Sequence, residues 1–562
     1  MFMKINSPAR SILAMLPLVL LLLCITGSVH SSDATSPRLV LVVVVDQLGG
    51  DVPGRFAHRF GPDGFRVLMD RGTWYRNAHF QHANTVTAAG HATLATGGNP
   101  PQHGMIGNEW YDPARRRTVG CVEDERHGEP GGPRGAAGGR SPRNLTSSTF
   151  GDELVLSSGG RSRVFAVSIK DRAAITLGGH LGKAYWYSRQ SGEFVTSTYY
   201  HEVYPEWMQR WNDARPAARY AGKKWTLLAG QDSYVAGARD DRPYELELGT
   251  FGRTFPHTLP RRSSGELYSY LRTTPMGDEL TLSFVEALFA AERPGLRGHT
   301  DVLAVSFSVT DYIGHAFGPN SLEAEDNLLR LDRTLASLFG LVDREVGLDH
   351  TLVVLTSDHG VAPIPESLAE QGFDVGRFDP PRFMPQINAG LQSRFAARES
   401  LNLVFGKPAV YLDVAMLARL GLDVAEVENA AADELSKVPG VAFALKRSDL
   451  LTGRLPGSRE AERVAAGFHP RRSGNVILVP KPFWYLDNAP HGNAAMHGSP
   501  YSYDTHVPIL LAGPGVPRRD IQRSVAPRDL APTLSAYLGI RPPSGSVGNP
   551  LVEVFEAGEG RE

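Results

Sequence analysis

Four short apolar runs, each rich in β-branched or aromatic residues and each leading into a polar side chain, constrain this chain more than any other feature. Leu39–Val45 leads into Asp46, Val164–Val167 into Lys170, Val302–Phe307 into Asp311, and Leu352–Leu355 into Asp358. Runs this continuous suit strands buried on both faces, as in a parallel sheet covered by helices. Helical patterns lie between them, so the expected fold class is α/β, with a central mostly parallel sheet flanked by helices. Open sheets of this kind bind ligands outside the carboxyl ends of their strands. Four polar strand ends would then share one rim, although a lone aspartate after a strand more commonly serves as a turn or cap.

The 562 residues suit one large α/β enzyme with insertions or two domains. Hydrophobic residues make up 42% and charged residues 21%, which supports a buried core and excludes overall disorder. Lysine plus arginine (58) nearly cancels aspartate plus glutamate (60), so the basic footprint of a nucleic-acid-binding domain is missing. Partners are expected to be small molecules, and the chain to act as a monomer.

Residues 1–32 read as an export signal, with Lys4 and Arg10 ahead of a fourteen-residue apolar run, Ile12 to Ile25, and small residues at Gly27 and Ser28. That run is shorter than the ~20 residues of a spanning helix, so cleavage rather than anchoring is expected. Cys24 follows Leu23, not the small residue expected before a lipidated cysteine. No later segment reads as a membrane span. The remaining 33–562 are expected to form one catalytic domain, periplasmic or secreted. After cleavage only Cys121 remains, and one thiol cannot form an internal disulfide.

Ligand-type residues gather near the same strand ends. Asp311 and His315 are four apart, and such a pair on a helical turn points both side chains the same way. Asp358 and His359 are adjacent and serve one site only if the chain bends there, which Gly360 permits. With Asp46 and His497 these make six ligands, too many for one zinc but suited to two metals with three protein ligands each. Imidazole with carboxylate favours zinc. His506 competes with His497 for the last place, and chance scatter among eighteen histidines is the plain alternative.

A nucleophile is available at Thr87. The small residues Ala88 to Ala95 can form a short helix closed by Gly97, which places the Thr87 hydroxyl where backbone N–H groups and the helix dipole favour a phosphate. A threonine needs a metal or base to become a nucleophile, and its ordinary role here would be an N-cap.

Together, Asp46, the Thr87 helix, Thr-Asp311-x-x-Gly-His315, Ser-Asp358-His359-Gly and His497-Gly resemble the alkaline phosphatase superfamily. The resemblance is to its type I phosphodiesterase/nucleotide pyrophosphatase branch, and it runs to Asp529 near the C-terminus. Asn108, twenty-one residues after Thr87, and the Lys170-x-Arg172 pair resemble the threonine-nucleophile, monoester-specific periplasmic alkaline phosphatases of that branch. Two residues apart in an extended segment, Lys170 and Arg172 can reach one phosphoryl group, Arg172 with a planar fork and Lys170 with a point charge. Cations there favour a monoester dianion over a diester.

The resemblance implies an alkaline-phosphatase-like fold, a phosphothreonine intermediate on Thr87, an alkaline optimum and two Zn2+. One zinc would sit on Asp311, His315 and His497 and the other on Asp46, Asp358, His359 and Thr87, with Asn108, Lys170 and Arg172 on the phosphoryl oxygens. A phosphodiesterase on the same scaffold, or a non-catalytic exported metal-binding protein, are the competing readings. Two insertions are expected, about 173–300 and 365–485. The first carries aromatics from Tyr185 to Trp211 that either wall the site or pack an accessory core, with a hairpin turn at Gln190–Gly192; the second has no assigned chemistry. Glu125–Arg143 reads as an exposed loop and Arg115–Arg117 as a solvated run.

Overall fold

The computed structural model describes residues 36–132, 138–236, 239–261, 265–401, 404–486 and 492–556. The export signal expected at 1–32 lies outside the described residues.

The four apolar runs form four adjacent parallel strands, in the order Thr351–Thr356, Leu39–Val45, Asp301–Phe307 and Val164–Ser168. Lys183–Tyr187 adds a fifth parallel strand beyond Val164–Ser168, and Phe194–Val195 turns back antiparallel at that edge. On the other side His506–Ala512 pairs antiparallel with Thr351–Thr356, followed by Thr73–His79 and Arg519–Ile521, which completes nine strands.

Register brings the strand ends level. Val44 pairs with both Ser306 and Thr356, and Ser306 pairs with Ser168. The chain therefore leaves all four strands at one rim. All seven residues of Leu39–Val45 are at most 1% exposed, and alternation sends them to two cores. Leu39, Leu41, Val43 and Val45 pack with Phe284, Leu288, Leu331, Leu335 and Leu338 from helices Met276–Glu292 and Leu322–Glu345. Val40, Val42 and Val44 face Leu94, Leu154, Leu177 and Leu534 from the short helices of the opposite layer. A strand apolar on both faces is stable only between two helical layers, which is why Leu39–Val45 carries no polar residue before the rim.

The aromatics between 185 and 211 join a core rather than the site. Phe194 stacks on Phe284 at 4.2 Å, and Trp207 and Trp211 close on the same ring at 5.3 and 5.2 Å. The hairpin expected at Gln190–Gly192 links the strands Lys183–Tyr187 and Phe194–Val195, with Gly192 at φ +76°. Within 365–485 the chain builds a separate antiparallel sheet of Val404–Gly406, Ala409–Tyr411, Val476–Pro480 and Val441–Lys446, with helices over it. Arg115 and Arg117 are exposed and paired with Glu123. Cys121 is buried, and among the described residues no helix is long and apolar enough to cross a membrane.

Candidate active site

Asp46 follows its strand directly, and its N–H still donates to the Phe307 carbonyl at 2.9 Å, so the side chain emerges where sheet pairing ends. Asp311 lies in the first turn of helix Val309–Phe317 and His315 in its last, on one face as their spacing requires. Asp358 and His359 follow strand Thr351–Thr356 where regular structure stops. Gly360 acts there through space rather than through an unusual backbone angle, since a Cβ would stand 2.2 Å from the Tyr503 carbonyl oxygen. Gly498, at φ +111°, supplies the turn after His497.

These residues form two clusters, Asp311 with His315 and His497, and Asp46 with Asp358 and His359; within each, the candidate ligand atoms lie within 4.8 Å of one another. The clusters adjoin, because His359 and His497 stack with ring centres 3.6 Å apart. His506 stays outside both, its Nε2 on the Arg76 carbonyl at 2.7 Å.

Each of the three imidazoles is oriented for a metal. Nδ1 of His315 meets the Ala495 carbonyl at 2.7 Å, that of His497 the Thr85 carbonyl at 2.8 Å, and that of His359 the Gly360 carbonyl at 3.0 Å. A carbonyl can only accept, so the hydrogen is on Nδ1 and Nε2 turns its lone pair inward. Burial lowers His359 to about 3 and also lowers His497, which keeps both rings neutral. Asp46 Oδ1 and His359 Nε2 are buried and hydrogen bond to nothing in the protein. Buried donors and acceptors are rarely left so, and this neutral-imidazole and carboxylate set fits divalent metal.

Three buried carboxylates share this space with one buried ammonium. Lys170 Nζ lies 2.7 Å from Asp46 Oδ2, 2.5 Å from Asp311 Oδ2 and 3.2 Å from Thr87 Oγ1. One cation thus touches an aspartate from each cluster and the candidate nucleophile. Burial works against the Lys170 charge, but Asp311 and Asp46 outweigh it and hold the ammonium protonated. Burial and Asp358 push the Asp46 carboxyl well up. Burial also acts to raise Asp311, yet His315 and Lys170 outweigh it and hold that carboxyl well down.

Thr87 is the first residue of helix Thr87–Thr96, after extended Val86, and Gly97 closes the helix at φ +68°. The threonine does not cap its own helix. The Ala88 N–H is met instead by Asn108 Oδ1 at 2.9 Å, while the Thr87 hydroxyl accepts from Lys170. With its oxygen committed to a backbone donor, Asn108 presents its amide NH2 as the other face. Gly90 lets the helix press onto the Asp358 bend, where a Cβ would stand 2.1 Å from the Asp358 carbonyl oxygen.

Lys170 and Arg172 do not share an extended segment as expected. Lys170 is the extended N-cap and Arg172 the second residue of helix Asp171–Gly178, because the helix starts as soon as the strand has ended. Their side chains still serve one region, with Arg172 lining a cleft together with Asn108, His315 and His497. Asp171 is engaged by Arg140 at 2.7 Å and lies 3.9 Å from Arg172, whose buried Nε has no hydrogen-bond partner. The cleft lining also includes Phe405, Gly406 and Leu486, so the accessory sheet reaches the site.

Two residues of the site carried no clear signal in the sequence. Gln47 hydrogen bonds to aspartates of both clusters, and its only signal was its place next to Asp46. His91, inside the Thr87 helix, has Nδ1 2.9 Å from the Thr87 carbonyl and 3.1 Å from Asp358 Oδ2; four residues after Thr87, it could have been read as a helix-face neighbour.

The model of the type I phosphodiesterase/nucleotide pyrophosphatase family matches residues 40–500. The chain belongs to that family. This family member is 35% identical over 536 residues to alkaline phosphatase PhoV of Synechococcus elongatus, covering 94% of this chain and 95% of the relative. It is 34% identical over 531 residues to alkaline phosphatase PafA of Elizabethkingia meningoseptica, covering 94% and 96%. It is also 34% identical over 530 residues, with the same coverage, to a Myroides odoratus protein named calcium-transporting ATPase. The wild-type PafA crystal structure superposes with a TM-score of 0.86 at 34% identity, covering 93% of this chain and 99% of that one. A solved PafA variant is substituted at a threonine, an asparagine, a lysine and an arginine spaced as Thr87, Asn108, Lys170 and Arg172 are here.

Proposed function

We propose that this chain is an exported, metal-dependent alkaline phosphatase that hydrolyses small phosphate monoesters through a phosphothreonine on Thr87. The observation that carries the reading is the meeting at Lys170 Nζ of the Thr87 hydroxyl and an aspartate from each ligand cluster. Two Zn2+, one on Asp311, His315 and His497 and the other on Asp46, Asp358 and His359, would when bound acidify the Thr87 hydroxyl, stabilise the leaving oxygen and activate water.

Thr87 Oγ1 forms its bond to phosphorus as the ester P–O bond breaks and the alcohol departs. Water then attacks the phosphothreonine, the Oγ1–P bond breaks, and Thr87 regains its hydroxyl as inorganic phosphate leaves. Lys170, charged and beside Oγ1, favours the deprotonated nucleophile and the incoming dianion. The Asn108 amide and the Arg172 guanidinium donate to the free phosphoryl oxygens, where charge-assisted contacts are strong. A diester offers one charge fewer and brings a second substituent into that space. The relatives named alkaline phosphatase, and the four residue types changed in the PafA variant, support this reading.

The family's description favours a second reading, phosphodiester or nucleotide pyrophosphate hydrolysis on the same scaffold. Comparing kcat/KM for an aryl phosphate, its methyl diester and ATP on zinc-loaded protein separates them. The proposal expects the monoester to lead and Thr87→Ala to abolish phosphate release with zinc content intact; diester preference overturns it. A non-catalytic metal-binding protein would bind zinc and release no phosphate. Export is tested by N-terminal sequencing of the mature protein, expected to begin shortly after residue 32.

A further inference from the structure

Gln47 has no part in the chemistry proposed above, yet it joins the two clusters. Its backbone N–H donates to Asp358 Oδ1 at 3.1 Å, and its side-chain Nε2 donates to Asp311 Oδ1 at 2.9 Å. It is 3% exposed, and its φ of +71° lies in the left-handed region that non-glycine residues seldom adopt. Such a backbone persists only where its surroundings impose it. Space for the side chain comes from Gly314, on the helix that carries Asp311 and His315, because a Cβ there would stand 1.8 Å from Gln47 Oε1.

Asp311 Oδ1 is the oxygen that faces its cluster, 3.3 Å from His315 Nε2 and 3.5 Å from His497 Nε2. A carboxylate turns freely about its last torsion unless its oxygens are engaged. A donor on Oδ1 therefore selects which lone pair is left for a cation. In the other cluster the same residue's backbone holds Asp358 by Oδ1 and leaves Oδ2 facing His359 Nε2 at 3.4 Å. One residue thus holds a carboxylate of each cluster, with Lys170 on the second oxygen of Asp311 and His91 near that of Asp358. We infer that Gln47 is a positioning residue, a clasp that fixes one carboxylate of each metal cage relative to the other. The clasp rests on the dizinc reading above.

The test is a Zn2+ titration of the full mature protein against a competing chelator, resolved into two stepwise constants, with thermal unfolding of the zinc-free protein in parallel. Gln47→Asn tolerates the left-handed backbone but is one methylene too short to reach Asp311. It is expected to weaken one site about 10- to 100-fold, the usual effect of removing a partner behind a ligand, and to leave the other within about 3-fold. Gln47→Glu, which opposes an acceptor to the carboxylate, is expected to lose more. Gly314→Ala should reproduce the one-site loss with Gln47 in place, by displacing its amide. Unchanged constants in both Gln47→Asn and Gly314→Ala overturn the clasp, as does an equal loss at both sites that follows the unfolding temperature. A wild-type protein that binds fewer than two Zn2+ overturns the dizinc reading, and the clasp with it.

Discussion

Arg172 and Asn108 are the residues at which the phosphatase reading is most exposed to test, since neither belongs to a metal cluster. Arg172 has a buried Nε without a partner and a neighbouring aspartate already engaged by Arg140. Arg172→Ala is expected to cut kcat/KM for an aryl phosphate by about 10²–10³, the usual effect of removing one transition-state donor, and that of the methyl diester much less. Equal losses would remove Arg172 from monoester recognition. Asn108→Asp keeps an acceptor for the Ala88 N–H but replaces the amide donor with an anion. Urea unfolding should find stability within about 1 kcal/mol of wild type, on the scale of a retained cap, while inorganic phosphate loses affinity as a competitive inhibitor; unchanged phosphate inhibition would assign Asn108 to capping alone.

At the scale of elements, the site depends on how closely helix Thr87–Thr96 lies on the bend after strand Thr351–Thr356. Gly90→Ala puts a methyl into the Asp358 carbonyl, so the helix and its hydroxyl must move away from the ligand bend. A cost of about 1–3 kcal/mol in urea unfolding is expected, together with loss of kcat larger than any rise in KM. Wild-type turnover would show that this close approach is dispensable. The strands themselves were legible because both faces are buried: Leu39–Val45 could not have been a one-sided strand. The two clusters of candidate ligands could be anticipated because each member follows an apolar run or a helical i, i+4 spacing, His497 excepted. What escaped is set by three-dimensional fit. Nothing in the sequence near Arg172 shows that a helix begins at Asp171, and nothing in 365–485 shows that Phe405 and Gly406 reach the cleft. Gln47 was hidden because its value lies in a backbone angle and in the missing Cβ of a glycine 267 residues away.

Across the whole molecule, buried groups of opposite sign shape the response to pH. Burial holds His82 at about 3, and both its ring nitrogens lack side-chain hydrogen-bond partners. The unfolded chain would protonate it near 6.5, so its contribution is complete above that pH and is lost as pH falls towards 3, with a slope of up to about 1.4 kcal/mol per pH unit. Asp278, raised by burial to about 8, acts in reverse, stabilising below about 4 and losing that contribution as pH rises to 8. A comparison of wild type with His82→Phe between pH 6.5 and 4 isolates the first effect. The variant's stability should decline less steeply, and parallel curves would show that His82 does not titrate on unfolding.

The sheet, its level strand ends and the two ligand clusters converge on one claim, that two cations sit beside the hydroxyl of Thr87. Anomalous scattering at the zinc edge from crystals of the zinc-loaded protein tests it directly. Two peaks are expected, one among Asp311, His315 and His497 and one among Asp46, Asp358 and His359, with Thr87 Oγ1 against the second. A single peak, or peaks remote from Thr87, would contradict it.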